Sequence, residues 1–459
     1  MCSEFIFFYR GNIDFGYGSK ESGNVEETTK KSINGVKGLY LFDRNALGTF
    51  FGFNAKSCDL DFYASTLGSE GQQFYENEDM EGFATKTYDN HFGQAHNYAD
   101  ITVAANHLMI HEDNNTFRDR FVEQLRVLGQ KYNLAIAGGE TAIMYTLLGM
   151  YASLTSIGIN TSGTQTDLEN TVLTTHDDGA GTKPVTIARA YGLKHTSSIY
   201  DAGAMNFNDI LCAALCLPKE WFVVNTLIVG KDYEAVYPLY KNDLKRICTE
   251  LGMNLKVNSH VIMPNFKGIE YDMNVSALFD KLKIRKFNIK EGQKLIGLGA
   301  TGLGSNGYTG AVSFADNNLK DEQRAEFDKK LSSPTPLFID AFKAVEDIPL
   351  QWASHVTGGS FTKLTKIIPN TFAVYIHRNH SLRPQSEFYQ LKTQATNQRM
   401  YSYFNCGIQG ILGVSPEHAD EVIQRISKTS IKADEIGYVK KGKGQIQIES
   451  MFDNELVTF

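Results

Sequence analysis

The segment DGAGTK combines the residue types that a phosphate-binding loop needs, and it directly follows the strand-like run TVLTT. Gly179 and Gly181 let backbone N–H groups approach a phosphate, and Thr182 adds a hydroxyl. Lys183 supplies a positive charge, while Asp178 could hold a divalent cation. The Walker A spacing G-x-x-x-x-G-K-[ST] is absent from the chain. The segment therefore indicates a nucleotide site of another kind, with an ordinary glycine-rich turn as the alternative.

A second group of polar residues lies in DAGAMNFND. Asp201 and Asp209 are eight residues apart, so a helix would present them on about the same face, with Asn208 beside them. Carboxylates near a phosphate-binding loop suit Mg²⁺, which takes a few carboxylates together with phosphate oxygens and water. We therefore predict that Asp178, Asp201 and Asp209 bind Mg²⁺ beside a nucleotide. Asp201 could instead only cap a helix.

His355 lies in SHVTGGSF, beside a Thr-Gly-Gly turn. A histidine at such a turn can protonate or orient a substrate oxygen, although a lone histidine is more often structural. Upstream, GLGATG matches the dinucleotide pattern G-x-G-x-x-G, but the next residues, GSNG at 304–307, resist helix formation. Because no helix can then begin inside the motif, we expect no nicotinamide dinucleotide there.

Strand-like and helix-like segments alternate from residue 171 onwards, which predicts an α/β protein. We expect three regions: an atypical N-terminal region at 1–170, a nucleotide-binding domain at 171–288 and a C-terminal domain at 289–459. The polar stretch from about 68 to 100 has the composition of a long insertion or mobile loop. A charged amphipathic helix over 116–132 should then lead into the strand-like LAIAGGETA.

Within the C-terminal domain, the pattern predicts helices over 334–345 and 416–428. Pro416 suits a first helical turn, with Ser415 as the N-cap. The segment 436–450 is typical of a hairpin.

Composition narrows the class of protein. Of the 459 residues, 42% are hydrophobic and 21% are charged, as in an ordinary globular protein. The net charge of −7 gives no electrostatic reason to bind nucleic acid or an anionic membrane. No apolar run reaches the roughly 18 residues of a membrane span, and the start of the chain has no export signal, so we expect a cytoplasmic protein. Cys212 and Cys216 are expected to pack in a core.

Six segments in order give the chain a specific resemblance: DGAGTK, DAGAMNFND, GLGSNGY, SPT, SHVTGGSF and MYSYFNCG. They are similar to the signatures DGVGTK, D-x-x-A-M-x-x-N-D, HSNGY, APT, AHxTGGG and M-Y-x-x-F-N-x-G of the phosphoribosylformylglycinamidine cyclo-ligase family, also called AIR synthetases. The resemblance covers about residues 171–215 and 290–440. The last two signatures favour this family over related kinases and synthetases.

This resemblance implies two α/β domains, the first of which pairs with a second copy to form a β-barrel, and a homodimer or an internal pseudo-dimer. It implies that ATP and Mg²⁺ serve the conversion of formylglycinamidine ribonucleotide to aminoimidazole ribonucleotide. The nucleotide side would comprise the following residues: Asp178, Gly179, Gly181, Thr182, Lys183, Asp201, Asn208, Asp209 and Glu140. The substrate side would comprise Ser305, Asn306, Gly307, His355, Thr357, Gly358, Gly359 and Asn405. Lys183 and His355 would be the catalytic residues.

The chain departs from the family pattern at three places. GGETA, which contains Glu140, precedes DGAGTK instead of following the aspartate-rich helix. A duplicated first domain in which Glu140 completes the site of the other copy would explain this order, and so would a rearranged or inserted segment. Gly304 stands where the family has histidine, and Ser360 where it has a third glycine. These departures leave two alternatives open: a related ATP-dependent phosphotransferase, and a non-catalytic binding or scaffold member.

Overall fold

The computed structural model describes residues 39–45, 47–67, 71–95, 100–110, 120–121, 123–125, 127–129, 134–143, 147 and 149–459. The prediction about the start of the chain lies outside these residues. The described positions between 120 and 129 are helical, as predicted for 116–132. Among the described residues, no helix combines the length and apolar character needed to cross a membrane.

The strands are β1 (Leu39–Arg44), β2 (Thr49–Phe53), β3 (Ser57–Leu67), β4 (Ile101–Ile110), β5 (Leu134–Ile143), β6 (Met150–Asn160), β7 (Thr166–Asp167), β8 (Thr171–Asp178), β9 (Glu220–Gly230), β10 (Asn254–Met263), β11 (Ile269–Asp280), β12 (Lys294–Gly299), β13 (Trp352–His355), β14 (Phe372–Ile376), β15 (Ile408–Val414), β16 (Ala433–Lys441), β17 (Ile446–Glu449) and β18 (Leu456–Thr458). They form three sheets, ordered β5-β4-β6-β3-β7, β1-β2-β8-β11-β9-β10 and β13-β15-β12-β16-β14-β17-β18. The fold is therefore mixed α/β, as predicted.

The α-helices are α1 (Gly71–Glu76), α2 (Met80–Ala95), α3 (Lys183–Tyr191), α4 (Ser198–Ala214), α5 (Tyr237–Glu250), α6 (Tyr308–Asn318), α7 (Asp321–Leu331), α8 (Ile339–Ala344), α9 (Ser386–Lys392), α10 (Asn397–Tyr403) and α11 (Ala419–Ile426). Helix α3 illustrates how the sequence sets its limits. Pro184 lies in its first turn, where no N–H partner is lost, and Gly192 ends it with a φ of 88°.

The two N-terminal sheets share one topology. Each has four strands in the order first-fourth-second-third: β3-β6-β4-β5 in one and β8-β11-β9-β10 in the other. In both, the second and third strands are parallel and the fourth is antiparallel to its neighbours. Strands β4 and β5 contact β8, and β3 contacts β9 and β10. Among the described residues, one isolated bridge, Leu147 to Phe266, lies outside the strands, and no strand of one sheet is hydrogen-bonded to a strand of the other.

Apolar side chains fill the space between these sheets. One buried cluster contains Val103, Ile157 and Ile159 of the first sheet with Leu173 and Phe222 of the second. Burial of this kind contributes about 25 cal/mol per Å² of apolar surface, which favours a fixed arrangement of the two sheets. Cys212 and Cys216 are buried in the adjacent core, as predicted.

Two local predictions are wrong, and two are confirmed in part. Helices α1 and α2 occupy much of 68–100, because Met80, Phe83 and Tyr88 bury one face against the sheet. The segment 436–450 is not a hairpin, since β16 and β17 both pair with β14 and not with each other. The helix predicted at 334–345 is confirmed over α8 only. The helix predicted at 416–428 is confirmed as a 3₁₀ turn over Pro416–His418 that continues into α11, with Pro416 in its first turn and Ser415 at the N-cap position, although Ser415 makes no side-chain capping bond.

Candidate active site

Lys183 is the first residue of α3 and lies where the sheet that contains β8 meets residues 289–459, a place that we call the junction. Its side chain is fully buried. Its ammonium donates to Asp201 Oδ1 at 2.5 Å, to the carbonyl of Gly304 at 2.8 Å and to that of Ser333 at 2.6 Å. Burial lowers the pKa of Lys183, and the Asp201 carboxylate opposes that shift. All three N–H groups of the predicted phosphate-binding lysine are therefore engaged by protein atoms.

Asp201 projects from α4 into the same junction. Its Oδ1 also accepts bonds from the Thr335 amide at 2.7 Å and the Thr335 hydroxyl at 2.6 Å. The hydroxyl of Ser305 lies 3.4 Å from the same oxygen. Asp201 Oδ2 is buried without a hydrogen-bond partner, which leaves one carboxylate oxygen able to bind a further group. Asp201 is therefore more than a helix cap.

The DGAG turn follows β8. The Gly179 amide donates to Asp178 Oδ1 at 2.8 Å, and the Ala180 amide donates to Glu270 Oε1 at 2.6 Å. Gly181 has a φ of 59°, which favours glycine. Two amides of the predicted phosphate-binding loop thus donate to carboxyl groups of the protein itself. Thr182, the residue before α3, makes no side-chain capping bond.

A second cluster surrounds His355, whose side chain is fully buried. Its Nδ1 lies 2.8 Å from Asp209 Oδ1, and its Nε2 lies 3.3 Å from the side-chain amide nitrogens of Asn208 and Gln409. The carboxylate favours a proton on Nδ1, so Nε2 accepts. Burial lowers the pKa of His355, while Asp209 opposes this. The ring is thus held neutral between fixed partners.

Basic side chains surround Asp209. His176 Nε2 lies 3.5 Å and Lys363 Nζ 3.9 Å from its Oδ2. Burial alone would raise the pKa of Asp209, but Lys363 and the two histidines outweigh it and hold that pKa well below its ordinary value. Helix α4 thus carries two aspartates with different partners: Asp209 lies beside Lys363 and two histidines, whereas Asp201 pairs with Lys183 and keeps one oxygen without a hydrogen-bond partner.

The sequence analysis missed His176 and Lys363. The His176 side chain is 23% exposed, in contrast to the fully buried His355, and it precedes Asp178 by two residues. Lys363 donates to the Thr357 hydroxyl. The position of His176 beside DGAGTK was a signal that could have found it, but Lys363 joins the cluster only through folding.

Asn208 and Asn405 link segments through hydrogen bonds. Asn208 donates to the carbonyl of Pro336 at 2.9 Å and accepts from the Phe338 amide at 2.8 Å, so it joins α4 to the C-terminal domain. Asn405 donates to the carbonyl of Gly302 at 2.9 Å. Both amides are buried and position neighbouring loops.

Comparisons with known proteins agree with the six segments. Residues 290–449 match the family profile described as AIR synthase related protein, C-terminal domain. The phosphoribosylformylglycinamidine cyclo-ligase of Bacillus licheniformis is 31% identical over 290 residues, covering 60% of this chain and 82% of that protein. The enzyme of the same name from Caldicellulosiruptor saccharolyticus is 30% identical over 311 residues, covering 64% and 89%. This chain belongs to the phosphoribosylformylglycinamidine cyclo-ligase family.

Among solved structures, the thiamine-monophosphate kinase of Stenotrophomonas maltophilia K279a is similar to this cyclo-ligase family member, with 12% identity. The similarity covers 64% of this chain and 88% of that chain, with a TM-score of 0.45.

Gly304 stands where the cyclo-ligase family signature has histidine. In this chain the side chain of Gln409 lies in the space next to Gly304. A Cβ on Gly304, whose φ is 73°, would lie 2.6 Å from Gln409 Oε1. Gln409 is fully buried, and its amide also donates to the carbonyl of Val356 at 3.2 Å. A side chain at 304 therefore conflicts with the one at 409.

Two further turns have backbone conformations that favour glycine. Gly307 has a φ of 77°, and a Cβ there would lie 2.4 Å from the Phe404 ring. Gly359 has a φ of 75°. Ser360, at the place of the third glycine, adopts a φ of 48°, and its hydroxyl donates to the carbonyl of Phe404 at 2.6 Å. That bond compensates for the strained backbone.

The turn at 305–307 faces the one at 357–359. A Cβ on Gly358 would lie 3.5 Å from the Asn306 amide nitrogen, and Asn306 Oδ1 is buried without a hydrogen-bond partner. Ser305 is bonded to Thr335 at 2.8 Å. The predicted substrate-side residues thus meet at one place in the C-terminal domain.

The displaced GGETA segment lies in β5 of the first sheet. In the register of β4 and β5, Glu140 is the partner of His107. His107 Nδ1 lies 3.0 Å from Asp177 Oδ1, and Asp177 directly precedes Asp178. Folding thus brings the backbone of GGETA close to the strand that carries DGAGTK, although the segments lie in different sheets.

Proposed function

We propose that this chain catalyses the ATP-dependent cyclisation of formylglycinamidine ribonucleotide to aminoimidazole ribonucleotide, a step of purine biosynthesis. The observation that carries the proposal is the meeting of the family's signature segments at one junction. Lys183 donates to the carbonyls of Gly304 and Ser333 in the C-terminal domain. Asp201 accepts from Ser305 and Thr335, and Asp209 on the same helix contacts His355.

In the proposed reaction, the formamide oxygen attacks the γ-phosphorus of ATP and ADP leaves. The amidine nitrogen then attacks the activated carbon, the ring closes, and phosphate and a proton are released. Most of the rate enhancement would come from positioning and charge neutralisation. Ser305, Asn306 and the turn at 357–359 would orient the substrate, because they border the junction.

Mg²⁺ fits one part of the site. Asp201 Oδ2, which is buried without a hydrogen-bond partner, and the Asp178 carboxylate would hold it. When bound, Mg²⁺ would neutralise phosphate charge. Because Lys363, His176 and His355 surround Asp209, we assign Asp209 to orienting His355 and not to the metal.

His176 is the better candidate for proton transfer. His355 is fully buried, and protein groups lie beside both of its ring nitrogens. His176 is partly exposed; its Nδ1 lies 3.1 Å from Asn206 Oδ1, but its Nε2 lies 3.5 Å from Asp209 Oδ2, which is long for a hydrogen bond. In this assignment Asp209 orients His355, and Nε2 of His176 accepts the proton released on ring closure.

We propose further that the chain is an internal pseudo-dimer. Residues 1–170 would contain a duplicated first domain, 171–288 the nucleotide-binding copy and 289–459 the C-terminal domain. The shared strand order of the two N-terminal sheets supports this division, and so does the contact of β5 with β8. Glu140 would then complete the nucleotide site within one chain.

The first test is ATP turnover by the purified protein, with and without formylglycinamidine ribonucleotide, with aminoimidazole ribonucleotide followed in parallel. We expect substrate-dependent ADP release that matches imidazole formation one to one. ADP release with a phosphorylated product and no ring closure would replace the proposal with a phosphotransferase. Light scattering on the active sample tests the pseudo-dimer: a monomer with full activity supports it, and activity confined to a dimer contradicts it.

A specific observation favours one competing function. Lys183 and His355 are both fully buried with all their polar atoms engaged, as expected if the junction were only structural. A non-catalytic member would form no product from the substrate, whether or not it binds ATP with Mg²⁺. Isothermal titration with a non-hydrolysable ATP analogue, alongside the turnover assay, separates this function from catalysis.

A further inference from the structure

A buried cluster of three potential metal ligands lies between the two N-terminal sheets. His107 comes from β4 of the first sheet, whereas Asp177 and Asp272 come from β8 and β11 of the second. His107 Nδ1 lies 3.0 Å from Asp177 Oδ1 and 3.9 Å from Asp272 Oδ1. One ligand atom from each residue lies within 4.8 Å of the others. No residue of the cluster belongs to the signature segments used above.

Hydrogen bonding within the protein accounts for part of this cluster only. Tyr151 donates to Asp272 Oδ2 at 2.7 Å, and the Asn274 amide lies 3.5 Å from Asp177 Oδ2. Asp272 Oδ1 is buried and has no hydrogen-bond partner. An unpaired carboxylate oxygen in a protein interior costs free energy unless a cation or donor satisfies it.

The negative charge of the two aspartates also favours a bound cation. The two carboxylates approach each other away from solvent, since Asp272 is 1% and Asp177 4% exposed. Burial, followed by repulsion from Asp177, raises the pKa of Asp272. A divalent cation would remove this repulsion and satisfy the unpaired oxygen.

We propose that His107, Asp177 and Asp272 form a structural site for a divalent transition-metal ion, of which Zn²⁺ is the best fit. Zn²⁺ binds nitrogen and carboxylate oxygen at about 2.0–2.2 Å in a tetrahedron, so ligand atoms lie roughly 3.3 Å apart. The two distances from His107 Nδ1 bracket that value. Imidazole suits zinc, whereas Mg²⁺ prefers oxygen ligands alone.

The site has the surroundings that metal ligands need. Tyr151 and Asn274 hold the carboxylates from outside, as second partners of metal ligands usually do. Because the ligands come from both sheets, the ion would join the two halves of the proposed pseudo-dimer. The site does not require ATP or the proposed reaction.

The test is metal binding by the full chain after dialysis against a chelator, without nucleotide. Zn²⁺ is titrated calorimetrically and the bound metal is counted by atomic emission. Co²⁺ serves as a spectroscopic probe, because its visible absorption reports tetrahedral coordination. We expect one Zn²⁺ per chain, a raised melting temperature, and no comparable response to Mg²⁺.

Three variants provide the comparison. Asp272→Asn and His107→Gln should lose the Zn²⁺ and Co²⁺ signals, whereas Tyr151→Phe should keep one ion per chain with affinity weakened roughly tenfold. His91→Asn is the matched control, since His91 is also buried in the first half but bonds to Ser65 and Ser156. Equal Zn²⁺ binding by wild type and Asp272→Asn overturns the proposal, and so does no binding by the wild type. Tyr151→Phe retains all three ligands. If the ligand variants fail to fold, the Zn²⁺ affinity of Tyr151→Phe therefore still tests the proposal.

Discussion

Replacing Lys183 with methionine removes a buried ammonium but keeps a side chain of similar length. The Asp201 carboxylate would keep its bonds to Thr335 but lose its counter-ion, and the carbonyls of Gly304 and Ser333 would lose their donor. Removing one partner of a buried ion pair costs about 3–5 kcal/mol. We therefore expect Lys183→Met to lower the free energy of unfolding by about that amount.

Urea unfolding followed by tryptophan fluorescence measures this effect, because Trp221 lies in β9 and Trp352 in β13, on both sides of the junction. Asp201→Asn alone should be destabilising as well. The double variant should cost clearly less than the sum of the two, since it leaves no unpaired buried charge.

The surface pair of Arg246 and Glu250 provides the control. These side chains lie 2.9 Å apart and are about half exposed, so Arg246→Met should leave the urea midpoint almost unchanged. The reasoning is refuted if Lys183→Met costs less than about 1 kcal/mol, or if its effect and that of Asp201→Asn simply add.

Three further predictions concern the same region. Burial raises the pKa of Glu270 to about 8 from an ordinary 4.5. Between these pH values the folded state keeps a proton that the unfolded state releases, so the free energy of unfolding should fall as pH rises. Glu270→Gln should flatten this pH slope, as measured by urea unfolding. A pH slope unchanged by that substitution would contradict the assignment. Gly304→His should destabilise by about 1–3 kcal/mol because its Cβ meets Gln409, and adding Gln409→Gly should recover part of the loss in thermal melting; no recovery would show that the conflict lies elsewhere. His176→Asn should lower kcat by about 100-fold or more with little change in KM, whereas the exposed His195→Asn should not; equal activity of the two variants would remove His176 from the proton-transfer role.

Much of the fold was predictable from local pattern. The strand before DGAGTK, helix α4 and the strand at β12 follow from hydrophobic runs and from glycine and proline positions that act over a few residues. The wrong prediction for 68–100 shows what local pattern leaves out. The segment 68–100 is polar by composition, yet Met80, Phe83 and Tyr88 supply enough apolar surface for a helix once a sheet lies against them.

The family resemblance was also readable, because six short motifs in order identified the chain without any geometry. The roles of individual residues were less readable. Lys183 and Asp178 are neighbours in one loop, but only folding shows that Lys183 bonds to three groups from α4 and the C-terminal domain. Gln409 lies against Gly304 although the two are more than a hundred positions apart in the sequence. Sequence periodicity carries no information over that distance.

The sequence by itself determined the α/β class, the family and the identity of the signature residues, because these depend on residue type and short spacing. Tertiary structure alone decided that the two N-terminal stretches share one strand order and that Asp201 pairs with Lys183 whereas Asp209 pairs with His355. It also decided that His107 meets Asp177 and Asp272. Such contacts arise from packing between sheets, where burial and charge act through space between residues that no local pattern connects.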